Sequence, residues 1–146
     1  MTRYILTSVR TGNEIDVTYD DAGRLWAVGL SGTYTDDEHV RTWGIMPLSI
    51  GAMRQLVIKG VTIREVPADL TFETFYGKYA YKVDRAAAEA AWGKLKDSDR
   101  MAALEGIAKY ERWLGQKGTA KLYPVRYISK RVWEWEELKK PIAVSR

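Results

Sequence analysis

The chain of 146 residues has no cysteine and a single histidine, His39. Without thiols there is no disulfide scaffold, no thiolate zinc site and no cysteine nucleophile. One imidazole excludes multi-histidine metal centres and leaves little room for histidine-based catalysis. No apolar run approaches the ~20 residues of a membrane span. The opening residues, Met1 to Ser8, lack the apolar core of a secretory signal. Also missing are a phosphate-cradling glycine motif, a G-x-S-x-G elbow and any metal-ligand spacing. Internal repeats and low-complexity tracts are absent too. These absences lead us to expect a cytoplasmic, non-enzymatic protein with no cofactor. The hydrophobic share, 46%, is that of a folded chain rather than a disordered one. The length suits one domain, or a small domain with an appendage.

Residues 3–9 read as a strand of β-branched and aromatic residues, and Arg10 to Asn13 as a turn. Ile15, Val17 and Tyr19 alternate with polar residues as in a half-buried second strand. After the turn at 20–23, Leu25 to Val28 belong to a third strand, and Gly29, Ser31 and Gly32 break the pattern. Thr35 stands three residues before Glu38, a capping box that starts a helix running to about Trp43. Pro47 and Ser49 open another helix, with Ile50, Met53, Leu56 and Val57 on one face, and Gly60 ends it. Val61 and Ile63 begin a fourth strand. Residues 1–67 therefore read as a small sheet unit with two short helices.

The remainder reads as helical. Phe72, Phe75, Tyr76 and Tyr79 share one face. Asp84 is expected to cap the next helix, which carries Ala88, Ala91, Trp92 and Leu95 inward. Ser98 is expected to cap a third, with Met101, Leu104, Ile107, Tyr110 and Leu114 inward and Gly118 at its end. Tyr123-Pro124 starts a short piece to about Ser129, and residues 137–146 read as a loose tail. The fold class expected is α+β, a four-stranded antiparallel sheet followed by a bundle of three or four helices over 68–136.

Charge is unevenly placed. Residues 1–70 carry seven Lys and Arg against nine Asp and Glu, whereas residues 71–146 carry sixteen against ten. The second half also holds both phenylalanines and four of the six tryptophans. Helical periodicity assigns most of those rings to a core. The acidic residues Asp20, Asp21, Asp36, Asp37 and Glu38 have local reasons of their own, in a turn and in a first helical turn. They match no calcium loop. His39 reads as a surface residue of its short helix.

At 70–136 the residues form a recognisable pattern. Phe72-x-x-Phe75-Tyr76-x-x-Tyr79-x-x-Lys82-Val83 leads into Ala88-x-x-x-Trp92. Then come Tyr110-x-x-Trp113-Leu114 and Tyr123-Pro124-x-x-Tyr127-Ile128-Ser129-x-Arg131-x-Trp133-Glu134. This resembles a helical module at the C-terminal end of phage and prophage proteins, including replication-associated ones. The whole chain resembles small phage proteins of the Bacteroidetes type. The resemblance implies a shared fold more than a shared site.

Lys117, Lys121, Arg126, Lys130 and Arg131 are the candidate phosphate contacts, with Tyr127 and Trp135 as stacking rings, because basic residues interleaved with aromatics suit single strands. Lys78, Lys82 and Arg85 join them if the first and last helices of the module are neighbours. Trp133 is expected to fold back onto the core and Trp135 to stay exposed. The function expected is engagement of nucleic acid, or of a nucleic-acid-processing complex, as a replication accessory. The alternative is a phage anti-defence inhibitor that blocks a host protein, such as a CRISPR effector nuclease, by protein contact. A third reading is a homo-oligomer formed through an exposed edge at strand 1 or strand 4.

Overall fold

The structure is a computed structural model that describes residues 1–139. The chain divides into two compact units, Met1–Ala68 and a second beginning at Asp69.

In the first unit, β1 (Thr2–Ser8), β2 (Glu14–Tyr19), β3 (Leu25–Ser31) and β4 (Val61–Glu65) form an antiparallel sheet in the order β3-β2-β1-β4. β1 thus lies inside the sheet, and its place as a candidate exposed edge passes to β3; β4 is the other edge. β3 runs through Gly29 to Ser31 rather than stopping at Val28, because Gly29 pairs with Asp16 and Leu30 with Ile15. A glycine weakens a strand without ending it when its backbone bonds are met. Tyr4, Leu6, Val17, Tyr19, Met46 and Met53 form the core. The Tyr19 phenol donates to the Pro47 carbonyl at 2.8 Å, which ties the sheet to the segment between the helices.

The capping box is present as read. The Glu38 amide donates to Thr35 Oγ1 at 3.2 Å, and the Thr35 amide donates to Glu38 Oε2 at 3.1 Å. It starts α1 (Asp36–Ile45), in which Thr42 is the one buried residue. Ser49 caps α2 (Ile50–Gln55). That helix is shorter than its apolar spacing suggests: Leu56 is the C-cap and Val57 is 90% exposed, so Val57 leaves the expected face.

The second unit holds α3 (Phe72–Tyr79), α4 (Arg85–Gly93), α5 (Asp97–Lys117), α6 (Pro124–Ser129), a 3-10 turn (Val132–Glu134) and α7 (Glu136–Lys139). Phe72, Phe75, Tyr76 and Tyr79 are all buried, as their spacing requires. Two expected caps fail. Asp84 sits before α4 in the left-handed region, φ 51°, with no side-chain cap bond. Ser98 lies inside α5, one residue past its start, and Lys96 takes the cap position. Gly118 ends α5 at φ 67°, a conformation glycine adopts without steric penalty. Residues 137–139, expected in the loose tail, instead belong to α7, which buries Leu138; the rest of that expected tail lies outside the described residues.

The core of this unit is a cluster of rings. Phe75 stacks on Trp92 at 4.6 Å between centroids, and Tyr79 approaches Tyr127 at 5.0 Å. Burying a ring such as Phe75 contributes about 2–3 kcal/mol. Two buried polar ends find partners: Trp92 Nε1 donates to the Leu70 carbonyl at 3.0 Å and Tyr79 Oη to the Leu122 carbonyl at 2.5 Å, whereas Trp113 Nε1 is buried without a hydrogen-bond partner among the described residues.

Candidate nucleic-acid interface

The basic, aromatic C-terminal segment divides into groups that face solvent and groups that build the unit. Pro124 at the first helical position starts α6, and the six-residue helix buries Pro124, Tyr127 and Ile128. Arg126 is left on the outer face, with Lys130 just past the helix end.

Tyr127, expected as a stacking ring, is fully buried. Its ring lies 5.6 Å from Tyr110 and 5.6 Å from Trp133, and its hydroxyl donates to the Ala103 carbonyl at 2.7 Å. Desolvation pushes its phenol well above the ordinary tyrosine range. The ring therefore has no face to offer a base. Trp135 is half-buried rather than exposed, edge-on to Trp113 at 5.7 Å and to Tyr110 at 6.3 Å. Trp133 folds back as expected and covers Tyr127. The exposed ring of the segment is Tyr123, 45% accessible and edge-to-face with Tyr81 at 5.5 Å.

The five candidate cations also separate. Lys121 is engaged: its Nζ donates to the Tyr79 carbonyl at 2.5 Å and to Glu111 Oε1 at 2.9 Å, and it lies 4.4 Å from the Tyr79 ring centroid. Arg131 is engaged more fully. It pairs with Asp99 at 2.7 Å and Glu134 at 2.6 Å and lies over the Trp133 ring. Those two carboxylates raise its pKa further, while Arg131 holds the Glu134 carboxyl below the usual range. Lys117, Arg126 and Lys130 are exposed and make no ion pair among the described residues. Of the five candidates, these three combine accessibility with an unspent charge among the described residues.

The assumed neighbourhood of the module's first and last helices holds: Phe75 and Tyr79 of α3 pack on Tyr127 of α6 at 6.0 and 5.0 Å. Lys121 and Leu122 bond to Tyr79 at the C-terminal end of α3, and Tyr123 meets Tyr81 just beyond it. That brings the segment bearing exposed Lys78 and Lys82 beside the entry to α6. Arg85, the third of that group, is turned to Glu73 and lies over the Phe72 and Tyr76 rings. Tyr123 lies outside the periodic helical faces of the sequence and is a candidate exposed ring on that ground, as the structure bears out; its pairing with Tyr81 has no local signal in the sequence.

Residues 67–131, under half of the chain, match the family model described as the Legionella vir region protein LvrA C-terminal domain. The match covers α3 to α6, most of the 70–136 pattern read as a shared module, and it stands in place of the phage family suggested there. No curated protein and no solved structure matches. Among the described residues no group of His, Asp or Glu could hold a metal ion, and no helix is long and apolar enough to cross a membrane.

Proposed function

We propose that the helical unit engages nucleic acid through its phosphates, as an accessory to a nucleic-acid-processing complex of the replication kind. The supporting observation is the trio Lys117, Arg126 and Lys130, exposed and unpaired among the described residues, in the half of the chain that carries the positive excess. Lys78 and Lys82 extend the surface. The rings that could have stacked on bases are spent on the core, so contact is made to the backbone and any base stacking falls to Tyr123.

The test is fluorescence anisotropy of labelled single-stranded DNA, duplex DNA and RNA at two salt concentrations. Phosphate contact predicts a log–log slope of about 0.9 per neutralised phosphate on duplex DNA. Lys117→Glu, Arg126→Glu and Lys130→Glu together should cost about tenfold or more in affinity with an unchanged circular dichroism spectrum. Affinity unaltered by the triple reversal would end this reading.

A second reading, a phage-type anti-defence protein that occludes a host protein, is favoured by one observation in the first unit. Trp26 on the edge strand β3, at 65% exposure, and Trp43 on α1, at 49%, both face solvent. Exposed tryptophans are common anchors of protein interfaces. Co-purification of a defined host protein after nuclease treatment, lost on Trp26→Ala and Trp43→Ala, would favour it.

A further inference from the structure

The first unit contains a groove of about 360 Å³ that has no part in the nucleic-acid reading. Its floor is one face of the sheet, where Leu6, Ile15 and Val61 meet; Ile45 of α1 and Ile58 before β4 close its sides. These five aliphatic side chains make the apolar part of the lining; Ser8, Thr11, Asn13 and Thr42 add small polar groups, and Tyr34 has its hydroxyl committed to the Glu14 carbonyl at 3.0 Å. Around this floor stand Arg10 from the β1–β2 turn, Arg41 from α1 and Lys59 from the turn before β4. All three are exposed, and none makes an ion pair among the described residues.

The charge here runs against its surroundings. Residues 1–70 carry more acid than base, yet three of their seven cations converge on one opening. The acid that lines it, Glu38, has its carboxylate bonded to the Thr35 amide in the capping box. The rim is also fixed in advance. Asn13 donates to the Thr33 carbonyl at 2.6 Å and accepts from the Thr33 amide at 3.3 Å, which holds the β1–β2 turn to the segment entering α1. Pre-formed apolar concavities edged by a few polar groups are what small-molecule sites look like.

We infer that this groove binds a small amphiphile, an anionic headgroup on an aliphatic body. The aliphatic floor takes the body, and the guanidiniums of Arg10 and Arg41 with Lys59 take the headgroup, carboxylate or phosphate, by charge-assisted hydrogen bonds. At ~30 Å³ per water-sized group the volume holds roughly a dozen heavy atoms, the size of a medium-chain fatty acid. The aliphatic floor, without a stacking ring pair, favours such a chain over a nucleobase.

The test uses the full chain with decanoate and decyl phosphate as probes, below their micelle concentrations, by titration calorimetry and by amide shifts of isotope-labelled protein. Decanol, decyltrimethylammonium and inorganic phosphate are the comparisons. The expected result is saturable binding of at least one anionic amphiphile, with shifts centred on Leu6, Ile15, Thr42 and Val61; the preferred probe names the headgroup. Arg10→Gln with Arg41→Gln should weaken it about tenfold or more while the melting curve stays that of the parent. Absence of shifts at those residues, equal binding of decyltrimethylammonium or decanol, or inorganic phosphate binding as tightly as decyl phosphate would each overturn the inference.

Discussion

The hydroxyl of Tyr127 donates to the carbonyl of Ala103, 2.7 Å away in the middle of α5. That bond joins the short α6 to the longest helix of the chain from inside the ring cluster. It turns a residue with the sequence surroundings of a base-stacking tyrosine into a structural one.

Tyr127→Phe should therefore lower stability by about 1–2 kcal/mol, the cost of a lost buried hydrogen bond, and leave nucleic-acid affinity unchanged. Urea unfolding and anisotropy on the same variant check both halves. A loss of affinity without loss of stability would contradict the assignment.

Gly106 marks the closest approach in the unit. A Cβ added there would lie 2.6 Å from Trp133 Cβ and 2.7 Å from Tyr127 Oη. The rest of α5 cannot yield without moving the 3-10 turn, so Gly106→Ala should destabilise by about 1–3 kcal/mol despite its better helix propensity. Gly115→Ala, in the same helix with open space around it, should be neutral or stabilising. Comparing the two urea midpoints separates crowding from propensity.

Glu134 gives a pH dependence. Its carboxyl is lowered chiefly by the hydrogen bond from Arg131, so the folded state holds the proton less tightly than the unfolded chain. The stabilisation is present above the ordinary glutamate pKa of about 4.3 and is lost as pH falls below it through the lowered value. Parent and Glu134→Gln should differ at pH 7 and converge in acid, read from urea midpoints. The gap will be small, because the side chain is 52% exposed and screened by water.

Tyr79 and Tyr127 act at the other end of the scale. Burial raises both phenols above their unfolded value of about 10. The folded state keeps its protons while the unfolded chain loses them, so stability is intact below about pH 10 and falls as pH rises above it. Tyrosinate absorbance from these two rings should appear together with unfolding in an alkaline titration.

Long periodic stretches made much of this fold readable. Phe72 to Tyr79 covers two helical turns, and Thr35 with Glu38 encodes a local bond pair that needs no tertiary context. The misread features depend on partners distant in sequence. α6 is six residues long, too short for periodicity to separate a buried face from an exposed one, so the sequence alone leaves Tyr127 among the surface rings. Lys121 and Arg131 look like surface charges until Glu111, ten residues away, and Asp99, thirty-two away, are brought to them. Asp84 has the residue type of a cap, but its left-handed backbone keeps the side chain from the helix amides.

The family match stops at Arg131, and the ring core does not. Val132 and Leu138 are both buried, and Trp133 covers Tyr127. A fragment trimmed to the matched residues would keep the recognisable pattern while uncovering the hydrophobic centre it was meant to isolate. Anyone transplanting this module should carry the cut past α7.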